Sequence, residues 1–335
     1  MLDSNMLPGH IRSCFVTGGT GFIGSHLVDL LIEQGWEVRC LVRNPESLGW
    51  LTGKPIALYS GDLDSTDVLR EGISGADAVF HLAGATAAGS REEYFRINAI
   101  GCRNVGEAAL KCPDPPQVVA YVSSLAAVGP SQPGKAVDED TPPSPLTDYG
   151  RSKLEGEKTL RAMGDLPLIV LRPPAVYGPR DRETLAFFRL ASRGFFPVVG
   201  GGAEVSLIHV RDLVRGIVLA AERSPTGGTY FLAHDEPVVI ADLSVHLAGA
   251  LGRKVRNVTI PVSALWTAAA ASELLGRVAG RLPVFNREKV KELAAPGWVC
   301  NTGKARRELS FQAIIDTASG IRETTDWYLK SRWIR

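Results

Sequence analysis

Thr17-Gly18-Gly19-Thr20-Gly21-Phe22-Ile23-Gly24 follows directly on the apolar run Cys14-Phe15-Val16 and leads at once into a second apolar stretch, Leu27 to Ile32. A strand that turns on glycines into a helix N-terminus aims backbone N–H groups at one spot, where a pyrophosphate is held. Gly18 permits the tight turn, Gly21 lets the backbone approach phosphate oxygens, and Gly24 lets the helix pack against the strand. With Phe22 and Ile23 between the last two glycines, these are the expected contacts of a dinucleotide. A glycine triplet alone also occurs in turns that hold no ligand; strand, triplet and helix in register favour the ligand.

Strands and helices then alternate through the first half of the chain. Candidate strands are Ser13–Thr17, Glu37–Val42, Ile56–Ser60, Ala78–Leu82, Val118–Val122 and Leu168–Arg172, with helices over Gly24–Glu33, Thr66–Gly72, Tyr94–Ala109 and Tyr149–Met163. This rhythm predicts an α/β fold, a doubly wound parallel (Rossmann) sheet with its ligand crevice at the carboxyl ends of the strands. At 335 residues the chain exceeds the roughly 250–300 that one core supports. Past Arg172 the pattern turns irregular: a loop at Gly200-Gly201-Gly202, a strand over Val205–Ile208, helices over Val210–Ala221 and Asp242–Leu251, and a strand over Thr229–Leu232. The expected division is a dinucleotide-binding domain from 11–174 and 206–224, and a smaller mixed C-terminal substrate domain from 175–205 and 225–328. Pro130–Thr147 is read as a surface loop.

A net charge of +1 without a basic run gives no reason to expect nucleic acid as partner. Cys14, Cys40, Cys102, Cys112 and Cys300 are odd in number and widely spaced, as buried thiols of a reducing compartment are. The histidines lack metal-ligand spacing, so no metal is expected. Asp3, Pro8 and His10 interrupt the first dozen residues, unlike a signal peptide. The longest apolar stretch, Ala264 to Ala279, contains Glu273 and Arg277 and falls short of the roughly 18 residues of a membrane span. A cytoplasmic location is expected; a lipid-facing role for this helix is the weaker reading beside that of a core helix.

Tyr149-Gly150-Arg151-Ser152-Lys153 puts a phenol and an ammonium on one helix face, with Cβ atoms about 5–6 Å apart. A lysine cation stabilises a phenolate and lowers a pKa that is ordinarily near 10, as proton transfer at neutral pH requires. Many helices carry such a pair merely as a solvated one; downstream of the glycine motif, the acid–base reading gains.

With these motifs, and with Tyr121-Val122-Ser123-Ser124-Leu125 between them, the chain resembles an extended short-chain dehydrogenase/reductase from about residue 11 to 325. That group belongs to the NAD-dependent epimerase/dehydratase superfamily, whose G-x-x-G-x-x-G spacing is one residue longer than the common fingerprint. The resemblance implies that Ser124 holds a substrate oxygen against Tyr149, as an oxyanion donor would. Ser124 is preferred to Ser123 because it stands five residues before Gly129, as the reactive serine does in family segments of the form S-S-x-x-x-x-G. It further implies that Asp62 and Leu63 meet the adenine, and that Leu82 and Ala83 pass the ribose. Asn98 corresponds to a helix asparagine near the site, and Pro173 and Val176, in Leu171-Arg172-Pro173-Pro174-Ala175-Val176-Tyr177, shape the nicotinamide pocket. His81 and His209 are expected to pack rather than react. Arg322 to Tyr328 resembles the final helix of dihydroflavonol-reductase-like and 3β-hydroxysteroid-dehydrogenase-like members, and similar proteins form homodimers through the Tyr94 and Tyr149 helices.

Arg43 ends the second strand where an acidic residue would select NAD. A guanidinium suits a 2′-phosphate, so NADP is favoured, with NAD possible if Arg43 only stacks on the adenine. Leu125 and Ala126 stand where dehydratases place carboxylates, which argues against dehydration. The expectation is hydride transfer between NADP(H) and an apolar secondary alcohol or ketone, steroid-, flavonoid- or polyketide-like. The alternatives are a sugar-nucleotide epimerase with tightly bound NAD and, more weakly, a non-catalytic NADP sensor. Leu265-Trp266, Leu274-Leu275, Val278 and Leu282-Pro283-Val284-Phe285 offer an apolar lining for such a substrate, or simply the core of the smaller domain.

Overall fold

The computed structural model describes residues 13–199, 203–279 and 285–335. The first dozen residues, the Gly200-Gly201-Gly202 loop and Leu282-Pro283-Val284 lie outside the described residues. Strands β1 (Ser13–Thr17), β2 (Glu37–Val42), β3 (Ala57–Ser60), β4 (Ala78–His81), β5 (Val118–Val122) and β6 (Leu168–Arg172) alternate with helices α1 (Phe22–Glu33), α2 (Thr66–Ile73), α3 (Arg91–Phe95), α4 (Gly101–Lys111) and α5 (Asp148–Arg161). Beyond them come β7 (Ala175–Tyr177), α6 (Leu185–Ala191), β8 (Phe195–Val199), β9 (Glu204–Val205), β10 (Leu207–His209), α7 (Val210–Arg223) and β11 (Thr229–Phe231).

The central sheet is parallel throughout, in the order β11-β6-β5-β4-β1-β2-β3. Chain order reverses between β1 and β4, which opens the ligand crevice beside the glycine turn. Successive side chains of each strand point to opposite faces, so one apolar run feeds two layers. Cys14, Val16, Phe80, Ala120 and Leu171 pack with α1 and α7 on one face. Phe15, Val79, Val119, Tyr121 and Val170 pack with α2, α4 and α5 on the other. Leu27, Val28 and Leu31 of α1 are fully enclosed, each worth about 1.5–3 kcal/mol of burial.

Three expectations differ from what is observed. The strand expected on the substrate side, Thr229–Leu232, joins the main sheet as β11, parallel to β6. The strand expected over Val205–Ile208 splits at Ser206, whose N–H donates to the Trp298 carbonyl and whose hydroxyl accepts from Cys300 N–H. Thus β9 joins β12 (Val238–Val239) and β14 (Gly297–Trp298), while β10 pairs with β7; β13 (Arg256–Ile260) pairs with β8. The helix expected over Tyr94–Ala109 is broken by a π-helical turn, Arg96–Ile100.

The remaining helices are α8 (Leu243–Leu251), α9 (Val262–Ala279), α10 (Arg287–Leu293), α11 (Gly303–Leu309) and α12 (Thr317–Lys330). Among the described residues no helix is long and apolar enough to cross a membrane, and no group of three His, Cys, Asp or Glu side chains could hold a metal. All five cysteines are buried.

Candidate active site

The turn after β1 is shaped for close approach. Gly18 has φ +77°, and a Cβ there would lie 2.6 Å from the Ala83 nitrogen and 2.8 Å from the Leu82 carbonyl carbon. A Cβ on Gly24 would run into the Gly18 carbonyl, so any larger residue would push α1 off the turn. Thr17 Oγ1 pairs with His81 Nδ1 at 2.7 Å and accepts from Ala83 N–H, which clamps the ends of β1 and β4 together. Gly21 precedes α1 without a side-chain cap, leaving the first-turn N–H groups of Phe22 and Ile23 for an outside anion. These features fit a dinucleotide pyrophosphate.

Arg43 is exposed just past β2, and its side chain has no hydrogen bond or ion pair among the described residues. Asp62 follows β3; its carboxylate accepts from Ser65 Oγ and Asp64 N–H, and the Ser65 bond holds it below the usual carboxylate range. The Leu63 carbonyl is tied to Asn104. On the opposite side, Pro173 accepts from Leu125 N–H, and Val176 pairs with Ile208 between β7 and β10.

Ser124 stands two residues past β5 as the cap of the short 3-10 turn Leu125–Ala127, and its Oγ accepts from Ala126 N–H at 3.1 Å. Tyr149 begins the first turn of α5, which Thr147 caps by accepting from Gly150 N–H. Its side chain is only partly buried, with the Ser124 hydroxyl nearby. Burial pushes the phenol well above its ordinary value; the Ser124 hydroxyl opposes this, and the Glu183 and Glu292 carboxylates add to it. Lys153, one turn on, is buried. Its Nζ donates to the Val122 carbonyl at 2.7 Å and stands 4.5 Å from the centre of the Tyr121 ring. Burial pushes this ammonium down to about 8, while Cys102 and Glu157 hold it up. In this arrangement the ammonium is engaged by a carbonyl of β5 and an aromatic face.

Asn98 sits in the π-helical turn. It accepts from Ala85 N–H at 2.8 Å and donates to the Ala85 carbonyl and Ser152 Oγ, tying the loop after β4 to α5. His81 stacks on Tyr121 and is pushed down to about 3, chiefly by burial. His209 lies edge-on to Tyr177 and burial holds it neutral, at about 4. Both are packing residues.

Two groups went unweighed in the sequence. Glu157 lies one turn beyond Lys153 and forms a buried bidentate pair with Arg172, Nε to Oε1 at 3.0 Å and Nη2 to Oε2 at 2.6 Å; Ser123 Oγ also donates to Oε1, at 2.5 Å. An i, i+4 glutamate on the buried face of α5 was the signal available. The second is Glu288 of α10, whose carboxylate accepts from Asp148 N–H at the start of α5 and for which no local pattern points there. Among the described residues of the expected apolar lining, Leu265 packs with Ala269 and Val290, while Trp266, Leu274 and Leu275 are exposed on α9.

Residues 14–233 match the model of the NAD dependent epimerase/dehydratase family. The chain belongs to this family. Its relatives within the family include a ceramide reductase of Caulobacter vibrioides, 31% identical over 323 residues and covering 95% of each chain. Another is the 4-hydroxy-2-methyl-3-oxo-4-farnesyl-3,4-dihydroquinoline-1-oxide ketoreductase of Stigmatella aurantiaca, 31% identical over 92% of this chain and 94% of the relative. The crystal structure of gox2253 superposes with a TM-score of 0.80 at 28% identity, covering 97% of this chain and 100% of that one. This family member is an NAD(P)-dependent oxidoreductase of the extended short-chain type.

Proposed function

We propose that the chain transfers a hydride between NADP(H) and a secondary alcohol or ketone carried on an apolar molecule. The observation that carries this reading is the placement of Ser124 just past β5 and of Tyr149 and Lys153 one turn apart on α5, with no carboxylate following Ser124. The ketoreductase and ceramide reductase relatives support it.

NADP(H) would supply or accept the hydride when bound. Gly18, Gly21, Phe22, Ile23 and Gly24 would hold its pyrophosphate, Arg43 the 2′-phosphate, and Asp62 and Leu63 the adenine. Leu82 and Ala83 would line the ribose, while Pro173 and Val176 would shape the nicotinamide pocket, with Tyr149 and Lys153 beside the nicotinamide ribose. In reduction the Tyr149 phenol gives its proton to the carbonyl oxygen, and Ser124 holds that oxygen by a hydrogen bond. Lys153 would orient the ribose and stabilise the phenolate left behind.

Titrating the four nicotinamide cofactors into purified protein tests the cofactor. NADPH should bind about tenfold or more tighter than NADH, and Arg43→Ala should remove that preference, since a charge-assisted bond to phosphate is worth about 1.5–3 kcal/mol. NAD retained through purification would instead assign the chain to the epimerases.

Lys153 also sets a pH dependence. Its depressed pKa means that the ammonium is charged below about 8 and lost above it. For ketone reduction, kcat/KM reports ionisations of the free enzyme, so it should fall as pH rises through about 8. Glu157→Gln removes a carboxylate that favours the charged ammonium and should move this limb to lower pH. A profile unchanged in the folded variant would refute the assignment of that limb to Lys153.

A further inference from the structure

Helix α9 leaves much of its apolar surface uncovered. Leu265 and Ala269 are buried against Val290 of α10, as a core helix requires, but Trp266, Leu274 and Leu275 are exposed, the two leucines at 62% and 68%. The exposed Ser263, Ala264, Thr267, Ala268 and Ala271 around them bring no charge. Glu273 is the one charged residue from Val262 to Gly276, and it is mostly covered and bonded to Arg287. The outward side of the helix is therefore uncharged over about three turns.

The same surface continues onto the ribbon of β8 and β13. In its parallel register Arg256 stands beside Phe195, Val258 beside Pro197 and Ile260 beside Val199, so these six side chains share one face. Ile260 and Val199 pack against Leu265 and Ala269 of α9, whereas Phe195 and Val258, further along the ribbon, are exposed. Lys254 and Arg256 are exposed at that far end, and neither forms an ion pair among the described residues. From 253 to 292 the sequence holds eight Lys and Arg against three Asp and Glu, although the net charge of the whole chain is only +1. The bare apolar surface thus lies in the part of the chain where positive charge is concentrated.

We propose that α9 and the adjoining ribbon face dock on the surface of a bilayer that contains anionic lipid. Trp266, Leu274 and Leu275 enter the boundary between headgroups and acyl chains, and Lys254 and Arg256 meet lipid phosphates. Helices that lie in this plane combine an uncharged apolar side with nearby cations, and tryptophan favours that depth. A second copy of the chain is the poorer occupant, because a two-fold contact would bring two basic segments together. Through α10, whose Glu288 accepts from Asp148 N–H, the docked side is joined to the start of the helix that bears Tyr149. Docking requires no particular reaction and stands apart from the reductase reading.

Flotation of the full chain with vesicles tests the surface. Vesicles of phosphatidylcholine with about 30% phosphatidylglycerol should bind it about tenfold or more tighter than phosphatidylcholine alone, and binding should weaken as salt rises from about 0.1 M to about 0.5 M. Leu274→Ser/Leu275→Ser and Lys254→Glu/Arg256→Glu should each lower binding to the anionic vesicles about tenfold, with the urea midpoint and NADPH affinity kept. No flotation with the anionic vesicles, or flotation undiminished in the leucine variant, would overturn the docking. A wild-type dimer that binds no vesicles and that the leucine variant turns into a monomer would assign this face to a second copy instead.

Discussion

Tyr149→Phe should reduce kcat about 10²–10⁴-fold, the usual worth of a positioned general acid. That factor corresponds to about 3–5 kcal/mol of transition-state stabilisation. The ring keeps its place near Tyr94 at the start of α5, and the change deletes one hydroxyl. Cofactor affinity should change little, because the glycine turn and Arg43 are untouched. Single-turnover reduction of a bound ketone, followed by loss of NADPH absorbance, separates the two quantities. Turnover retained in the variant would end the role given to Tyr149. A comparable loss in NADPH affinity would place Tyr149 in cofactor binding instead.

Arg172→Met should destabilise the fold by about 3–5 kcal/mol, because it strands the Glu157 carboxylate inside the protein. Both side chains are almost fully covered, at 7% and 2% exposure, so water cannot replace the lost partner. Removing both charges with Arg172→Met/Glu157→Gln should recover much of the loss, since no charge is then buried alone. Urea midpoints of the two single variants and the double variant form the decisive cycle. Losses that simply add would show that the pair is not coupled. The network also reaches the chemistry: Ser123 adjoins Ser124, Glu157 shares α5 with Tyr149 and Lys153, and Arg172 precedes Pro173, whose carbonyl accepts from Leu125 N–H. The ends of β5 and β6 and the middle of α5 are thereby locked in one arrangement, and the placement of Ser124 and Tyr149 depends on it.

The six strands from β1 to β6 could be read nearly residue by residue: β1, β4, β5 and β6, buried on both faces, are short apolar runs in the sequence itself, whereas β3 at the sheet edge is largely exposed. The glycine turn was legible for a similar reason. Its geometry is set by neighbours along the chain, as the left-handed Gly18 and the contact of Gly24 with the Gly18 carbonyl show. Tyr149 and Lys153 share a helix face by spacing alone. The three-residue β11 carried no periodic signal, and its place beside β6 follows from packing on α11 and α7. Ser206 splits one expected strand between two sheets by hydrogen bonds to residues some 90 positions away, which no local pattern encodes.

The amino-acid sequence thus determined the doubly wound sheet, the dinucleotide turn and the positions of Ser124, Tyr149 and Lys153, since each depends on residues within a few turns or one strand of each other. Tertiary structure alone decided what surrounds them. It directed the Lys153 ammonium to the Val122 carbonyl, enclosed Glu157 with Arg172, turned Trp266, Leu274 and Leu275 outward, and brought the Glu288 carboxylate onto the Asp148 N–H at the start of α5. The physical reason is range. Backbone conformation and hydrophobic period act between near neighbours, whereas the charge and burial of a side chain are set by whichever distant element packs against it.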